Sequence, residues 1–115
     1  MPAKTGLGSS SSFTVGLLNA LYTYNNQKIS KEEIAKKAVF VEQKLIKERV
    51  GCQDQFTCSI GGFLFIQYSK KGIIPNTVNL SKVEIDNLTD HLVLIYTGVK
   101  RFAHEVLKEQ IVKTK

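Results

Sequence analysis

The spacing of hydrophobic positions changes partway along this chain. From Ser9 the apolar residues Phe13, Leu17, Leu18 and Leu21 recur at near-helical intervals, which predicts a helix over residues 9–24. Asn25-Asn26-Gln27 ends it. Ser30 with Glu33 three residues on is a capping-box signature. Ile34, Ala38, Val41 and Leu45 then form an apolar stripe, so residues 31–48 are predicted as a second helix, joined to the first by a short polar link as an antiparallel hairpin. Gly51 to Gln55 reads as a loop.

Beyond that loop the pattern turns strand-like. Phe56 to Gln67 is rich in aromatic and β-branched residues, which predicts a strand over residues 63–68, with Gly61-Gly62 as a bend or bulge. Lys70-Lys71-Gly72 reads as a turn and Ile73 to Leu80 as a partner strand. Ser81 to Asp90 is polar and turn-like, with room for a short helical piece. His91 to Thr97 carries the clearest signature of a buried strand, with His91 at its entrance and Gly98 as its stop. Phe102, Val106, Leu107 and Ile111 predict a last helix over residues 100–113. The fold class is α+β, a helical hairpin packed on a small, mostly antiparallel sheet. No internal repeat, low-complexity segment or clear linker interrupts it.

Composition narrows the function classes. At 115 residues the chain is one domain or part of one. Its 43% hydrophobic and 23% charged residues are ordinary for a soluble globular protein. No apolar run reaches the ~18 residues of a membrane span, and no signal-peptide pattern opens the chain. Two cysteines, Cys52 and Cys58, are too few for a disulfide framework and read as free thiols of a reduced, cytoplasmic protein. The net charge of +6 is spread. On the second predicted helix Lys31, Lys36, Lys37, Lys44 and Lys47 alternate with Glu32, Glu33, Glu42 and Glu48, as on a solvated face. Without interleaved aromatic stacking partners, that pattern argues against nucleic acid. The same charge suits anionic phosphate substrates.

The candidate chemistry starts with Lys4-Thr5-Gly6-Leu7-Gly8-Ser9-Ser10-Ser11-Ser12. Gly6 and Gly8 permit positive φ and close approach of a ligand to the backbone. The serines open a helix whose first N–H groups and dipole favour an anion such as a nucleotide phosphate. A Gly-Ser turn with an ordinary serine N-cap fits the same residues. No Walker A pattern occurs, and the Lys4-Thr5-Gly6 triplet has no S-x-x-K before it, which sets aside penicillin-binding chemistry. Asp54 in the predicted loop suits a general base or simply a turn. Glu42 suits a hard-cation ligand or a surface residue paired with lysine. His91 and His104 have no metal-ligand companion at helical spacing.

In this order, Gly-Leu-Gly-Ser-Ser opening a helix, a Glu late in the next helix, and Gly51-Cys52-Gln53-Asp54-Gln55 before Gly61-Gly62-Phe63 resemble the GHMP small-molecule kinases. The Ser9–Ser12 run followed by Phe13-Thr14-Val15-Gly16-Leu17-Leu18, the Val50 to Phe56 stretch, and Tyr96-Thr97-Gly98-Val99-Lys100-Arg101 leading to Lys108-Glu109-Gln110 are similar to the heptose 7-phosphate kinase branch. The resemblance implies ATP and a phosphorylated sugar as partners, Mg²⁺ as cofactor, and transfer of the γ-phosphoryl group to the sugar's anomeric hydroxyl. It implies that Lys4, Gly6, Leu7, Gly8, Ser9, Ser10 and Ser11 cradle the ATP phosphates, that Ser10 and Glu42 hold Mg²⁺, and that Asp54 orients and deprotonates the acceptor hydroxyl. The metal matters because the loop supplies no charged clamp beyond Lys4. Cys52 departs from the branch, which commonly carries a lysine there, and this bears on substrate choice more than on reaction type. Alternatives within the resemblance are a galactose- or fucose-type substrate, or a phosphate-binding remnant without catalysis.

The resemblance also implies missing parts. In the family, the Gly-Leu-Gly-Ser-Ser loop follows a long N-terminal region and precedes a ferredoxin-like C-terminal domain. On that expectation residues 1–98 are a partial N-terminal ATP-binding domain with the ribosomal-protein-like domain 2 fold. Residues 99–115 would be the first helix of a truncated second domain. The chain would be an internal fragment of a kinase, inactive by itself, whose remainder is a possible partner.

Overall fold

The computed structural model describes residues 7–70 and 72–95. Among them are four α-helices and one two-stranded antiparallel sheet, an α+β arrangement. They fall into two units, one ending at Gly61 and one beginning at Gly62.

The first unit opens with α1, Ser9–Tyr24, the span its apolar spacing predicts. Helix α2, Lys31–Phe40, starts at a complete capping box: the Ser30 side chain accepts from the Glu33 N–H, and the Glu33 carboxylate accepts from the Ser30 N–H at 3.0 Å. The helix then widens into a π-turn over Val41–Leu45, closed by the Ile46 N–H donating to the Val41 carbonyl at 2.9 Å. Lys47 at φ 61° marks the stop, so the predicted helix ends three residues short of Glu48.

The buried face of this segment also differs from the expected one. Ile34, Ala35, Ala38 and Glu42 are buried, while Leu45 is 64% exposed. The face therefore runs Ala35, Ala38, Glu42, still at helical spacing, but rotated away from Val41 and Leu45. Val15 of α1 packs with Ile34 and Ala38 of α2, with Leu18 and Ile29 against them.

Where a loop over residues 51–55 and a strand-like composition from Phe56 are read from the sequence, residues Gln53–Ile60 form a helix, α3. Its inward residues Cys52, Gln55, Phe56, Ser59 and Ile60 are at least partly buried and follow helical spacing. Only two of the five are large hydrophobes, so the period is invisible to hydropathy. Phe56, at 1% exposure, anchors the helix; burying such a ring contributes on the order of 1.5–3 kcal/mol. The helix ends at Gly61 and Gly62, whose φ values of 76° and 72° are left-handed and suit glycine.

The second unit is a hairpin and a helix. Strands β1, Leu64–Ser69, and β2, Gly72–Thr77, pair antiparallel with Leu64 opposite Thr77 and Ser69 opposite Gly72. Pro75, which has no N–H to donate, faces Ile66. The polar stretch after the hairpin is a full helix, α4, Lys82–Asp90, with a second capping box between Ser81 and Glu84. The expected strand from His91 is not formed: His91 is the C-cap of α4, its Nδ1 2.6 Å from the Asn87 carbonyl. Leu92 to Ile95 are irregular and 64–83% exposed. An apolar run makes a buried strand only beside a strand that can pair with it, and among the described residues β1 and β2 pair only with each other. The expected helix over 100–113 and the boundary at 98/99 lie outside the described residues.

Candidate active site

The first turn of α1 is built around glycine, not serine. Gly8 is the N-cap, at φ 68° and ψ 21°, and among the described residues no side chain caps the helix. Its carbonyl accepts the first intrahelical bond from the Ser12 N–H at 2.9 Å. The early N–H groups are thus left without a capping side chain, and the first turn holds no acidic residue. An uncapped, unneutralised helix start is suited to an anion. This separates the two readings of the serine run: no serine acts as N-cap, and Ser9 to Ser12 all lie inside the helix.

Gly8 also fits closely against α3. A Cβ at this position would stand 3.5 Å from both Cγ and Oδ2 of Asp54. The exposed Asp54 carboxylate therefore borders the turn that opens α1. It gets there because α3 packs on α1 and places Asp54 in its own first turn. Upstream, the Gln43 side-chain amide donates to the Val50 carbonyl at 2.9 Å, tying down the loop that enters α3.

Glu42 is the second feature. It is 1% exposed, which rules out the solvated, lysine-paired reading of this residue. Its Oε2 accepts from the Ser11 hydroxyl at 3.1 Å and from the Gln55 side-chain amide at 2.5 Å. Its Oε1 has no partner among the described residues, and neither does Oε1 of Gln55. A buried polar atom left unpaired costs on the order of 1–3 kcal/mol. Buried charges are normally paired or bound to metal. Among the described residues no cluster of three or more His, Cys, Asp or Glu is placed to hold a metal. Mg²⁺, however, is commonly held by one or two carboxylates plus substrate phosphates. A buried carboxylate with one uncommitted oxygen, beside an uncapped helix start, fits that requirement.

The negative character of the site is felt at Cys58, one turn along α3 from Asp54. Burial pushes its thiol above the ordinary value and the charge of Asp54 pushes it further; a hydrogen bond with Ser12 opposes them, and Glu42 adds the smallest upward push. The thiol is therefore less ionised than a free cysteine and a poorer nucleophile.

Of the residues singled out from the sequence, Leu7, Gly8, Ser9, Ser10, Ser11, Glu42 and Asp54 fall in this region, and Lys4 and Gly6 lie outside the described residues. The hydroxyl that reaches Glu42 is that of Ser11. Ser10 is exposed, and its carbonyl accepts from Thr14 Oγ1 at 3.2 Å. Gln55 was missed. Its only signal is a polar residue in register with Cys52, Phe56 and Ser59 on an inward helix face, legible once α3 is known to be a helix.

Among the described residues no helix is long and apolar enough to cross a membrane. Residues 1–62 match the family described as GHMP kinases N terminal domain. The chain is 32% identical over 107 residues to D-glycero-alpha-D-manno-heptose 7-phosphate kinase of Campylobacter jejuni, an alignment covering 92% of this chain and 32% of that relative. It is 34% identical over 70 residues to mevalonate kinase of Methanocaldococcus jannaschii, covering 61% of this chain and 22% of that protein. The chain thus spans a third or less of the length of these curated relatives. No solved structure matches it. With more than half of its residues matched, including the Gly8 turn, Glu42, Asp54 and Gln55, the chain belongs to the GHMP kinase family.

Proposed function

We propose that this chain provides the phosphoryl-transfer centre of a cytoplasmic ATP-dependent sugar kinase, whose acceptor is the anomeric hydroxyl of a heptose 7-phosphate. In this reading the backbone from Gly6 to Ser11, with Lys4, receives the ATP phosphates. Asp54 orients the acceptor hydroxyl and takes its proton. Ser10 and Glu42 hold Mg²⁺, and the bound ion supplies charge neutralisation for the phosphates. Phosphoryl transfer depends mostly on positioning and electrostatics, so a rigid helix start, a carboxylate beside it and a buried carboxylate below it are the parts required.

The observation that carries the reading is the contact between the left-handed Gly8 turn and the Asp54 carboxylate, 3.5 Å from where a Cβ would stand. It sets a candidate base against a candidate phosphate seat. The heptose acceptor is supported by the likeness to the Campylobacter jejuni kinase over 92% of this chain. The test is ADP release with Mg·ATP and heptose 7-phosphate, galactose or fucose as acceptor. Asp54→Asn is expected to lower transfer about 10²- to 10⁴-fold, the usual contribution of a general base, while ATP binding stays intact. Normal turnover by Asp54→Asn removes Asp54 from the chemistry. ATP binding without transfer to any sugar leaves a phosphate-binding role alone.

A further inference from the structure

We infer that Gln55 is a positioning residue for the cation site, and that it serves because its donor is uncharged; this rests on the reading of Glu42 as cation ligand. Gln55 is 1% exposed and sits beside the equally buried Phe56. A carboxamide in such a place is costly unless it is bonded. Its amide donates to Oε2 of Glu42, the same oxygen that accepts from Ser11 Oγ. Two donors therefore converge on one carboxylate oxygen and, among the described residues, none reaches the other. That asymmetry orients the carboxylate and leaves Oε1, buried and unpaired, as the oxygen available to a cation.

The chemical type of the two donors matters as much as their position. An ammonium or guanidinium at position 55 would also satisfy Oε2, but it would cancel the charge of Glu42 and repel a cation. An amide and a hydroxyl orient the carboxylate while leaving its charge in place, and a hard divalent cation seeks charged oxygen. The backbone supports the same end. Glu42 stands on a π-turn, a form enriched at functional sites. On α3, Asp54 and Gln55 are consecutive, about 100° apart around the helix axis. One therefore borders the Gly8 turn while the other reaches Glu42. A single helix thus places the candidate base and the support of the cation ligand together.

The test titrates Mn²⁺ into the 115-residue chain with a non-hydrolysable ATP analogue present, whose phosphates complete the ligand set, following protein-bound Mn²⁺ by water-proton relaxation enhancement, with thermal midpoints measured alongside. Glu42→Gln is expected to abolish binding. Gln55→Met keeps the volume but removes the donor. It is expected to weaken Mn²⁺ binding about 10- to 100-fold, as loss of an outer-shell partner does. Gln55→Lys is expected to weaken binding further, while its ammonium pairs with Glu42 and holds the thermal midpoint at or above that of Gln55→Met. Affinity and thermal stability then rank these two variants in opposite order, which a merely structural role cannot produce. If Gln55→Lys does not fold, Gln55→Met decides the matter by a weakened affinity at a near-native midpoint. Binding within twofold of wild type in Gln55→Met, while Glu42→Gln loses it, overturns the inference and leaves the Glu42 reading standing. Wild-type binding that is absent, or unchanged by Glu42→Gln, overturns both.

Discussion

In the helical unit the least exposed side chains include Glu42 and Gln55, each 1% exposed, beside Phe56 at the same value. In the hairpin unit no described residue from Gly62 to Ile95 is buried, and Phe65 stands 59% exposed, Val93 83%. One region hides charge and amide in its interior; the other has no buried residue among those described. Helices α1 and α2 pack through Val15, Ile34 and Ala38, and α3 packs on both, so the first region is held by contacts between distant parts of the chain. The second is held by neighbours in sequence, through a two-stranded ladder and a capping box. A two-stranded hairpin is marginal by itself in water. The difference explains why the candidate chemistry lies in the helical unit. Residues that must hold a fixed geometry need packing to lock them.

The largest test of this contrast exchanges one phenylalanine in each unit. Phe56→Ala removes a fully buried ring from the meeting point of α3 with its neighbours. It is expected to cost about 3–5 kcal/mol in urea unfolding. Phe65→Ala removes a ring that is already mostly in water and is expected to change stability by no more than about 0.5 kcal/mol. Equal losses would mean that the hairpin unit owes its order to packing after all.

The same contrast shows how far the chain could be read in advance. Helix α1 and both capping residues of α2 were legible because their signals are local: apolar spacing from Phe13 to Leu21, and Ser30 with Glu33. The hairpin was legible within a residue or so at its turn, for the same reason. Helix α3 was not, because its inward face is half polar. The strand expected at Leu92 to Ile95 fails for the converse reason, since hydropathy says what a segment would bury and not whether a partner is present. Within the candidate site, Gly8, Glu42 and Asp54 could be singled out by type and order. Ser11 and Gln55 as joint donors to Glu42 could not, since that pairing depends on how α1, the π-turn and α3 meet.

A middle-sized test uses the two capping boxes as a matched pair. Ser30 begins α2 in the packed unit and Ser81 begins α4, which has no buried residue. Loss of an N-cap typically costs ~1 kcal/mol. Ser30→Ala is expected to lower the stability of the helical unit by that amount, because α2 carries Ile34, Ala35 and Ala38 into its interior. Ser81→Ala is expected to fray α4 locally and leave that stability unchanged. Residue-resolved amide exchange separates the outcomes. Global destabilisation by Ser81→Ala would show that α4 is coupled to the packed unit.

Acid gives the smallest and most selective effect, because both boxes depend on an ionised glutamate. The Glu33 carboxyl is held below the ordinary value of 4.5 first by the Ser30 hydroxyl, then by the Ser30 backbone N–H, with smaller help from Lys37 and Lys36. Glu84 is lowered in the same way by the Ser81 hydroxyl and then the Ser81 N–H. A carboxyl whose folded value is depressed contributes stability that is present in full above its unfolded value and is lost as pH falls through the folded one. Both boxes should therefore be intact near neutrality and weaken only below about pH 4.5, the ordinary glutamate value. Their consequences should differ. Protonating Glu33 removes a bond from a helix that packing still holds, whereas protonating Glu84 removes the start of a helix with nothing buried. On lowering the pH from 6 to 3, amides in the first turn of α4 are expected to lose protection while those of α2 retain it. Parallel loss in both helices would show that α2, too, rests on its cap, and that burial of Ile34, Ala35 and Ala38 does less to hold it than their exposure values imply.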